Sequence, residues 1–517
     1  MFGITATLLL LLAAVFTLHI VRLNYVMSRT PRAARAHALE PLTAERIRET
    51  YERVRGKGID WRGKLPRRKE RRYIIVGGSG LVGGQLALDL LQMGVPPAAI
   101  RLMDIRRPAR AEFSSGPASE VRFVDADVTS EGGMFRAFDE PWDEAVARLP
   151  LTVFHTVALI RPFERSEALY ERCSRVNVAG TANVLAAARR AGAGVFVYTS
   201  SCHAAVRSTG WFFPPWLREP RNFVQFVGDG DFWEPMPRPR DFASNYARSK
   251  AEGERLVCGA DDDDGMDDGE PGATREGGNN KNNNNNKGNN RVRMRTAAIR
   301  PGNGVYGHKD DTIVGRIMKL RRVPTYSGPW VHNWVNVRNV TQAHLLLEDA
   351  LLGPHADRVA GRPFMDVYDV LATTSATGMR VDHPPPVLML LAAYAVEAYC
   401  LLLLATASAR TSTITPLKRL LRLLGVPPAL LAKMRVGVVR EPGEPLVLFQ
   451  PALFSSSVTS IIDDSAARRA PQEGGLGYRP ACTTVEGMCL QVVHWNEWIE
   501  RRRLEERPPP SDEKGTP

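Results

Sequence analysis

Cysteine is scarce in this chain: six in 517 residues, at Cys173, Cys202, Cys258, Cys400, Cys482 and Cys489. None stands in a CxxC pair, which argues against a zinc knuckle and against a disulfide framework. Basic residues interleaved with aromatics are also missing, so the net charge of +12 does not point to nucleic acid. The charge is uneven instead. Arginine and lysine crowd the stretch from Arg22 to Arg72, and acids crowd Asp261 to Glu270. Residues 260–290, an aspartate cluster running into an asparagine tract, have no apolar periodicity. Such a segment cannot bury a core and reads as a disordered surface insertion. The tail 506–517 reads the same way.

Long apolar runs are few. Phe2 to Val21 is uncharged and nearly all apolar, just long enough to cross a bilayer core. No positive residues precede it; Arg22, Arg29, Arg32 and Arg35 follow it. That order disfavours a cleaved signal and places the rest of the chain on the cytosolic side. A basic stretch beside an apolar anchor suits anionic headgroups, or serves as a solvated linker. A second run, Val387 to Ala405, follows three prolines and carries Glu397 near its middle. A central carboxylate costs about 2.5–3.5 kcal/mol on insertion scales for comparable charges. The run therefore reads as a core helix or one dipping into a single leaflet, rather than as a second crossing.

The core of the chain begins at Arg72. The apolar stretch Tyr73–Val76 leads into Gly77-Gly78-Ser79-Gly80-Leu81-Val82-Gly83, then a helical run from Gln85 to Met93. Strand, glycine-rich turn and helix in this order make a dinucleotide cradle. Gly77 allows the tight turn, Gly80 admits a pyrophosphate, and Gly83 lets the helix pack on the strand. The next strand, Ile100 to Met103, ends in Asp104, placed to bind ribose hydroxyls and to repel a 2′-phosphate, which favours NAD. Arg106 and Arg107 leave NADP open. Asp125 and Asp127 close a third strand, where either touches an adenine edge or caps a turn. Further strands at Thr152–His155 and Gly194–Tyr198 alternate with helices, the pattern of a doubly wound parallel sheet.

Tyr246-Ala247-Arg248-Ser249-Lys250 is a YxxxK. On a helix, i and i+4 share a face, and a nearby ammonium lowers a phenol's pKa towards a working range. Alone the motif is a common surface-helix pattern. After a glycine-rich turn and a strand ending in Ser200-Ser201, it reads as catalytic.

These segments in this order resemble the extended short-chain dehydrogenases, and within them the 3β-hydroxysteroid dehydrogenase family, which includes sterol-4α-carboxylate 3-dehydrogenases. The similarity rests on GGSGLVGG (77–84), VFHTVAL (153–159), VNVAGTANVLAAARRAG (176–192), VYTSS (197–201), YARSK (246–250), IRPGNGVYG (299–307) and LGYRP (476–480). It implies that Tyr246 is the general base and Lys250 its tuner and ribose ligand. It also implies that Ser201, rather than Ser200, positions the substrate oxygen, and that Asn177 helps hold a proton relay. Cofactor contacts would come from Gly77, Gly80, Leu81, Gly83, Asp104, Asp127, Tyr246 and Lys250. Asn245 departs from the family, which often has proline before the tyrosine, and His308 replaces the usual proline after YG.

The resulting expectation is an α/β protein: an anchor (1–24), a basic linker (25–71), an NAD(P)-binding Rossmann domain (72–300) and a smaller discontinuous substrate lobe (301–505). The implied reaction is oxidation of a sterol or steroid 3β-hydroxyl at the endoplasmic reticulum membrane, with the catalytic body in the cytosol. A 4α-carboxysterol is favoured over a Δ5-steroid, because no second proton-shuttling group for isomerisation stands out. The competing readings are the same fold on a sugar nucleotide or flavonoid-like ketone, and a non-catalytic nucleotide sensor. The apolar segments speak against the soluble substrate, and the retained tyrosine and lysine against the sensor.

Overall fold

The computed structural model describes residues 2–36, 43–214, 216–261, 293–320, 322–366, 380–408, 443 and 446–505. The insertion from residue 262 onward and the tail 506–517 lie outside the described residues.

Thirteen described strands are β1 (Arg72–Val76), β2 (Ile100–Asp104), β3 (Arg122–Asp125), β4 (Leu151–His155), β5 (Ala193–Thr199), β6 (Val224–Val227), β7 (Arg295–Pro301), β8 (Gly304–Tyr306), β9 (Arg322–Pro324), β10 (Trp334–Asn336), β11 (Pro363–Asp366), β12 (Arg380–Asp382) and β13 (Thr459–Ile462). Seven form one sheet in the order β11-β7-β5-β4-β1-β2-β3, every neighbouring pair parallel. The order reverses direction between β1 and β4, the crevice where doubly wound sheets hold ligands.

The sheet is buried on both faces, and alternation along β1 shows how. Tyr73 and Ile75 join one core with Leu86, Leu90, Leu345 and Leu347. Ile74 and Val76 join the other with Met134, Phe138, Val184 and Val257. The first set brings in helices α4 (Leu81–Gln92) and α10 (Val337–Leu351); the second brings in α5 (Glu131–Asp139), α7 (Gly180–Arg190) and α8 (Asn245–Gly259). This is the Rossmann-type α/β architecture anticipated from the alternating pattern.

Two apolar helices flank this body. Helix α1 spans Phe2–Met27 and α11 spans Pro386–Ser408. Both are long and apolar enough to cross a membrane. Only the last turns of α1 are seated. Leu23 and Met27 pack with Val387, Leu390 and Ala393 of α11 and with Trp211, Trp330 and Phe454.

The basic stretch between α1 and β1 is more structured than a linker. It holds the short α2 (Arg32–Ala36) and α3 (Ala44–Lys57). Thr43 caps α3 by accepting from Arg46 N, Glu45 and the pair Arg55/Lys57 suit the helix dipole, and Gly58 at φ 66° ends it. Ile47 and Val54 are buried, and Arg53 pairs with Glu486 of the helix Thr484–Glu505 at 2.8 Å.

Candidate active site

The glycine turn is built by close contact. Gly77 has φ +88°, and a Cβ there would lie 2.6 Å from Thr156 Oγ1. A Cβ on Gly83 would lie 2.3 Å from the Gly77 carbonyl, so α4 sits against the turn with no room for a side chain. Gly83 falls inside α4, which starts at Leu81 with Gly80 as its N-cap. Asp104, at the end of β2, accepts from Ser79 N at 3.1 Å, so its carboxylate stands beside the cradle. Arg107 lies over the Phe123 ring, 5.0 Å from its centroid. Asp127 accepts from both N and Oγ1 of Thr129 at 2.9 Å, a turn-capping arrangement. The close glycine packing, the helix N-terminus and the strand-end carboxylate fit a dinucleotide.

Across the crevice, α8 carries Tyr246 and Lys250 on one buried face. Ser244 caps the helix through Ala247 N. A Cβ on Gly253 would lie 2.7 Å from Asn177 O and 2.8 Å from Tyr198 Oη, so this glycine brings α8 close to β5. Tyr246 hydrogen-bonds Ser201. Ser200 is committed elsewhere: its hydroxyl donates to Glu254 at 2.6 Å, and Glu254 makes a bidentate pair with Arg300 at 2.7 and 2.6 Å. Asn177 lies on a π-helical turn, Arg175–Ala179, between α6 (Tyr170–Ser174) and α7. Its amide donates to Ser249 Oγ at 2.9 Å and to the Leu159 carbonyl at 3.1 Å, and its oxygen accepts from Leu159 N at 2.8 Å. Ser249 donates in turn to the Tyr246 carbonyl at 2.9 Å. Ser201, Tyr246, Lys250 and Asn177 therefore share one corner, at the C-terminal end of β5.

The electrostatics differ from the simple YxxxK argument. Lys250 directs its amine to the Thr199 carbonyl at 2.7 Å and the Tyr198 hydroxyl at 3.2 Å. Burial pushes that amine down to about 7. Burial also raises the Tyr246 phenol well above its ordinary value, and the bond from Ser201 offsets only part of this. Burial, not Lys250, dominates the phenol's value, since the amine is directed to Thr199 and Tyr198 instead.

Two contributors were not visible in the motif. His203 is buried, with Nδ1 3.3 Å from Ser201 Oγ and Nε2 3.2 Å from the Ser456 carbonyl. A carbonyl only accepts, so Nε2 carries the proton and Nδ1 faces Ser201 Oγ as an acceptor, in competition with Tyr246 for the single Ser201 proton. Burial pushes this imidazole down to about 4, which keeps it neutral. Its ring meets Tyr246 edge-on at 5.9 Å. His344 on α10 braces the residue that accepts from Lys250, with Nε2 2.7 Å from Thr199 Oγ1.

Residues 74–270 and 279–377 match the model of the 3-beta hydroxysteroid dehydrogenase/isomerase family. The chain belongs to this family. Among its relatives, a Xenopus laevis protein named short-chain dehydrogenase/reductase family 42E member 1 is 26% identical over 304 residues, covering 57% of this chain and 63% of the relative. A Mycobacterium tuberculosis 3 beta-hydroxysteroid dehydrogenase/Delta 5-->4-isomerase is 26% identical over 289 residues, covering 53% and 61%. A decarboxylating sterol-4-alpha-carboxylate 3-dehydrogenase of Candida albicans is 25% identical over 304 residues, covering 57% and 70%. The matches to the first two relatives thus span a little over three fifths of their length. Among solved structures, a Thermotoga maritima UDP-glucose 4-epimerase aligns with a TM-score of 0.45 and 16% identity, covering 83% of this chain and 99% of that one.

Proposed function

We propose that this protein oxidises the 3β-hydroxyl of a sterol or steroid to the 3-ketone, with NAD as hydride acceptor. The observation that carries the reading is the corner where Ser201 meets Tyr246, with Lys250 one turn along α8 and the glycine cradle across the crevice. In this mechanism Tyr246 takes the hydroxyl proton and Ser201 holds the substrate oxygen. Lys250 lines the same face of α8, and in this reading its amine holds the nucleotide ribose. Asn177 fixes the backbone of Tyr246 through Ser249. The nicotinamide ring, when bound, supplies the site that receives the hydride. Gly80 and Leu81 at the start of α4 would face the pyrophosphate, Gly77 and Gly83 would hold the turn tight behind them, and Asp104 would meet the ribose hydroxyls, which disfavours a 2′-phosphate; Asp127 has its turn-capping bonds in any case.

The substrate reading favours a 4α-carboxysterol. Oxidation beside a C4 carboxylate yields a β-keto acid, which loses CO₂ because the ketone accepts the electrons of the breaking bond. The protein needs only proton removal and a pocket that tolerates the carboxylate. The apolar helices suit a substrate that partitions into lipid. In this reading the protein works at the endoplasmic reticulum membrane, with α1 as a single anchor and the body in the cytosol.

The test is turnover of purified protein with NAD on a 4α-carboxysterol and a Δ5-steroid, following NADH, CO₂ and conjugated-enone absorbance. NADH with CO₂ is expected. Enone from the Δ5-steroid without CO₂ from the carboxysterol would reverse the substrate choice, and no NADH from either would remove the reaction.

A further inference from the structure

Glu397 sits in the middle of the apolar helix α11, where a carboxylate is expensive unless it is paired. It is paired. Arg165, in the loop after β4, donates to it through Nε at 2.8 Å and a terminal nitrogen at 2.7 Å. The same guanidinium lies over the ring of Tyr394, 5.1 Å from its centroid. Tyr394 and Glu397 are i and i+3 on α11, so one face of the helix grips one arginine.

The loop that carries Arg165 also holds the start of the catalytic helix. Asn245, the first residue of α8, donates its backbone N–H to the Glu164 carbonyl at 2.7 Å and its side-chain amide to the Ser166 carbonyl at 2.8 Å. These two carbonyls flank Arg165, and Tyr246 follows Asn245. Glu164 is itself fixed by Arg161 and Arg172. The loop reaches the other side of the site as well: Ser456 Oγ donates to the Pro162 carbonyl at 3.1 Å, and Ser456 O receives His203. A cleft of about 330 Å³ lies between α11 and the N-terminus of α8, lined by Arg165, Ser166, Ser244, Glu397 and Leu401.

We propose that Arg165, Glu397 and Asn245 are positioning residues that transmit the seating of α11 to Tyr246. The inference rests on the reading of Tyr246 as the base. A path of short bonds runs from the apolar helix through Arg165 to the backbone of residues 164 and 166, then to Asn245, then to the phenol. The asparagine is what makes the path. A proline at 245 would have neither the N–H nor the amide, although the first turn of a helix accepts proline and the extended Ser244 before it (φ −160°, ψ 167°) suits one.

The test uses full-length protein in lipid vesicles and four variants: Asn245→Pro, Arg165→Glu, Glu397→Arg, and the double reversal. For Asn245→Pro and each single reversal, kcat is expected to fall about 10–100-fold, the range for displacing a reacting group by about an ångström. The rising limb of the kcat–pH profile, where the Tyr246 phenol loses its proton, should move, while the nucleotide Kd stays unchanged. The double reversal should return kcat to within about threefold of wild type, as coupled partners do. An unchanged kcat and pH limb in Asn245→Pro would overturn the proposal, as would a double reversal no better than the singles. If a reversal abolishes nucleotide binding, Glu397→Gln takes its place, and a wild-type kcat there also overturns it. Tyr246→Phe is run alongside. An active Tyr246→Phe removes the reaction reading itself; an inactive Tyr246→Phe beside a neutral Asn245→Pro removes only the coupling.

Discussion

In the seven-stranded half the charges are inside, whereas along α1 and α11 the hydrocarbon is outside. Arg300 and Glu254 are 3% and 1% exposed and hold each other with two bonds. Lys250 is 1% exposed. On the other flank Leu9, Leu10 and Leu12 are 66–71% exposed. Buried charge is costly and survives only where every partner is in place, so it marks positions that are held to geometry. Exposed hydrocarbon on this scale calls for a cover, and a lipid bilayer supplies one. Glu397 is the point where the two regimes meet, a charge on the apolar helix that points into the body.

The largest effect should come from the charged half. Tyr246→Phe removes one oxygen and should lower turnover by about 10²–10⁴-fold, the usual contribution of a positioned base. Nucleotide affinity, read by fluorescence titration, should hold. Retention of more than about a tenth of the wild-type rate would separate burial from catalysis in this corner.

Next in size is stability. Glu254→Ala leaves Arg300 buried and unpaired, at an expected cost of about 3–5 kcal/mol in denaturant unfolding. Glu397→Ala should cost less, because Arg165 is 34% exposed and can turn to water. Equal losses would break the contrast between the two pairs.

Lys250 gives a pH-dependent version. Its folded value of about 7 lies below its ordinary 10.5. Between those values the unfolded chain binds a proton that the native chain does not. Stability should therefore rise with pH across that window, by about 1.4 kcal/mol per unit at most. Below pH 7 both states are protonated and the burial cost is constant. Unfolding of wild type and Lys250→Met at pH 7 and pH 9, without added nucleotide, isolates the term; identical pH trends would show that the amine is better solvated than its burial implies.

Legibility followed locality. The glycine turn, the strands and the Tyr246–Lys250 spacing were readable because each lies within one short window. The Arg300–Glu254 pair joins residues 46 apart, and no spacing rule announces it. His203 looked like any histidine two positions past a serine; its role depends on a carbonyl at Ser456, 253 residues away. Asn245 was noticed only as a departure from proline, and its two bonds needed the loop at 164–166 in place. Helix α3 carries a faint local signal: Ile47, Tyr51 and Val54 recur at helical spacing, hidden among arginines and glutamates. The Tyr246 phenol ran against expectation because motif reasoning counts the nearby lysine and omits desolvation.

The smallest effect should come from the apolar flank, and it divides α1 in two. Residues from Ile4 to Leu18 include Ile4 at 70% exposure and Leu18 at 69%, so they contribute little to the body. From His19, whose ring lies against Phe212 and Phe213, the helix is tied in. Asn24 Oδ1 accepts from Val387 N at 3.4 Å, Trp330 Nε1 donates to the Met27 carbonyl at 2.9 Å, and Leu23 and Met27 are 1% and 0% exposed. Removing residues 2–18 should change unfolding stability in detergent by no more than about 0.5 kcal/mol, as for surface changes generally. The same cut should abolish sedimentation with vesicles. Extending it through Met27 removes two buried side chains, each worth about 1.5–3 kcal/mol. It also removes the support for the first turn of α11, so kcat should fall together with stability. If the shorter cut already destabilises the body, the exposed half of α1 packs on protein in solution, and the division between a charged interior and a hydrocarbon exterior fails at this helix.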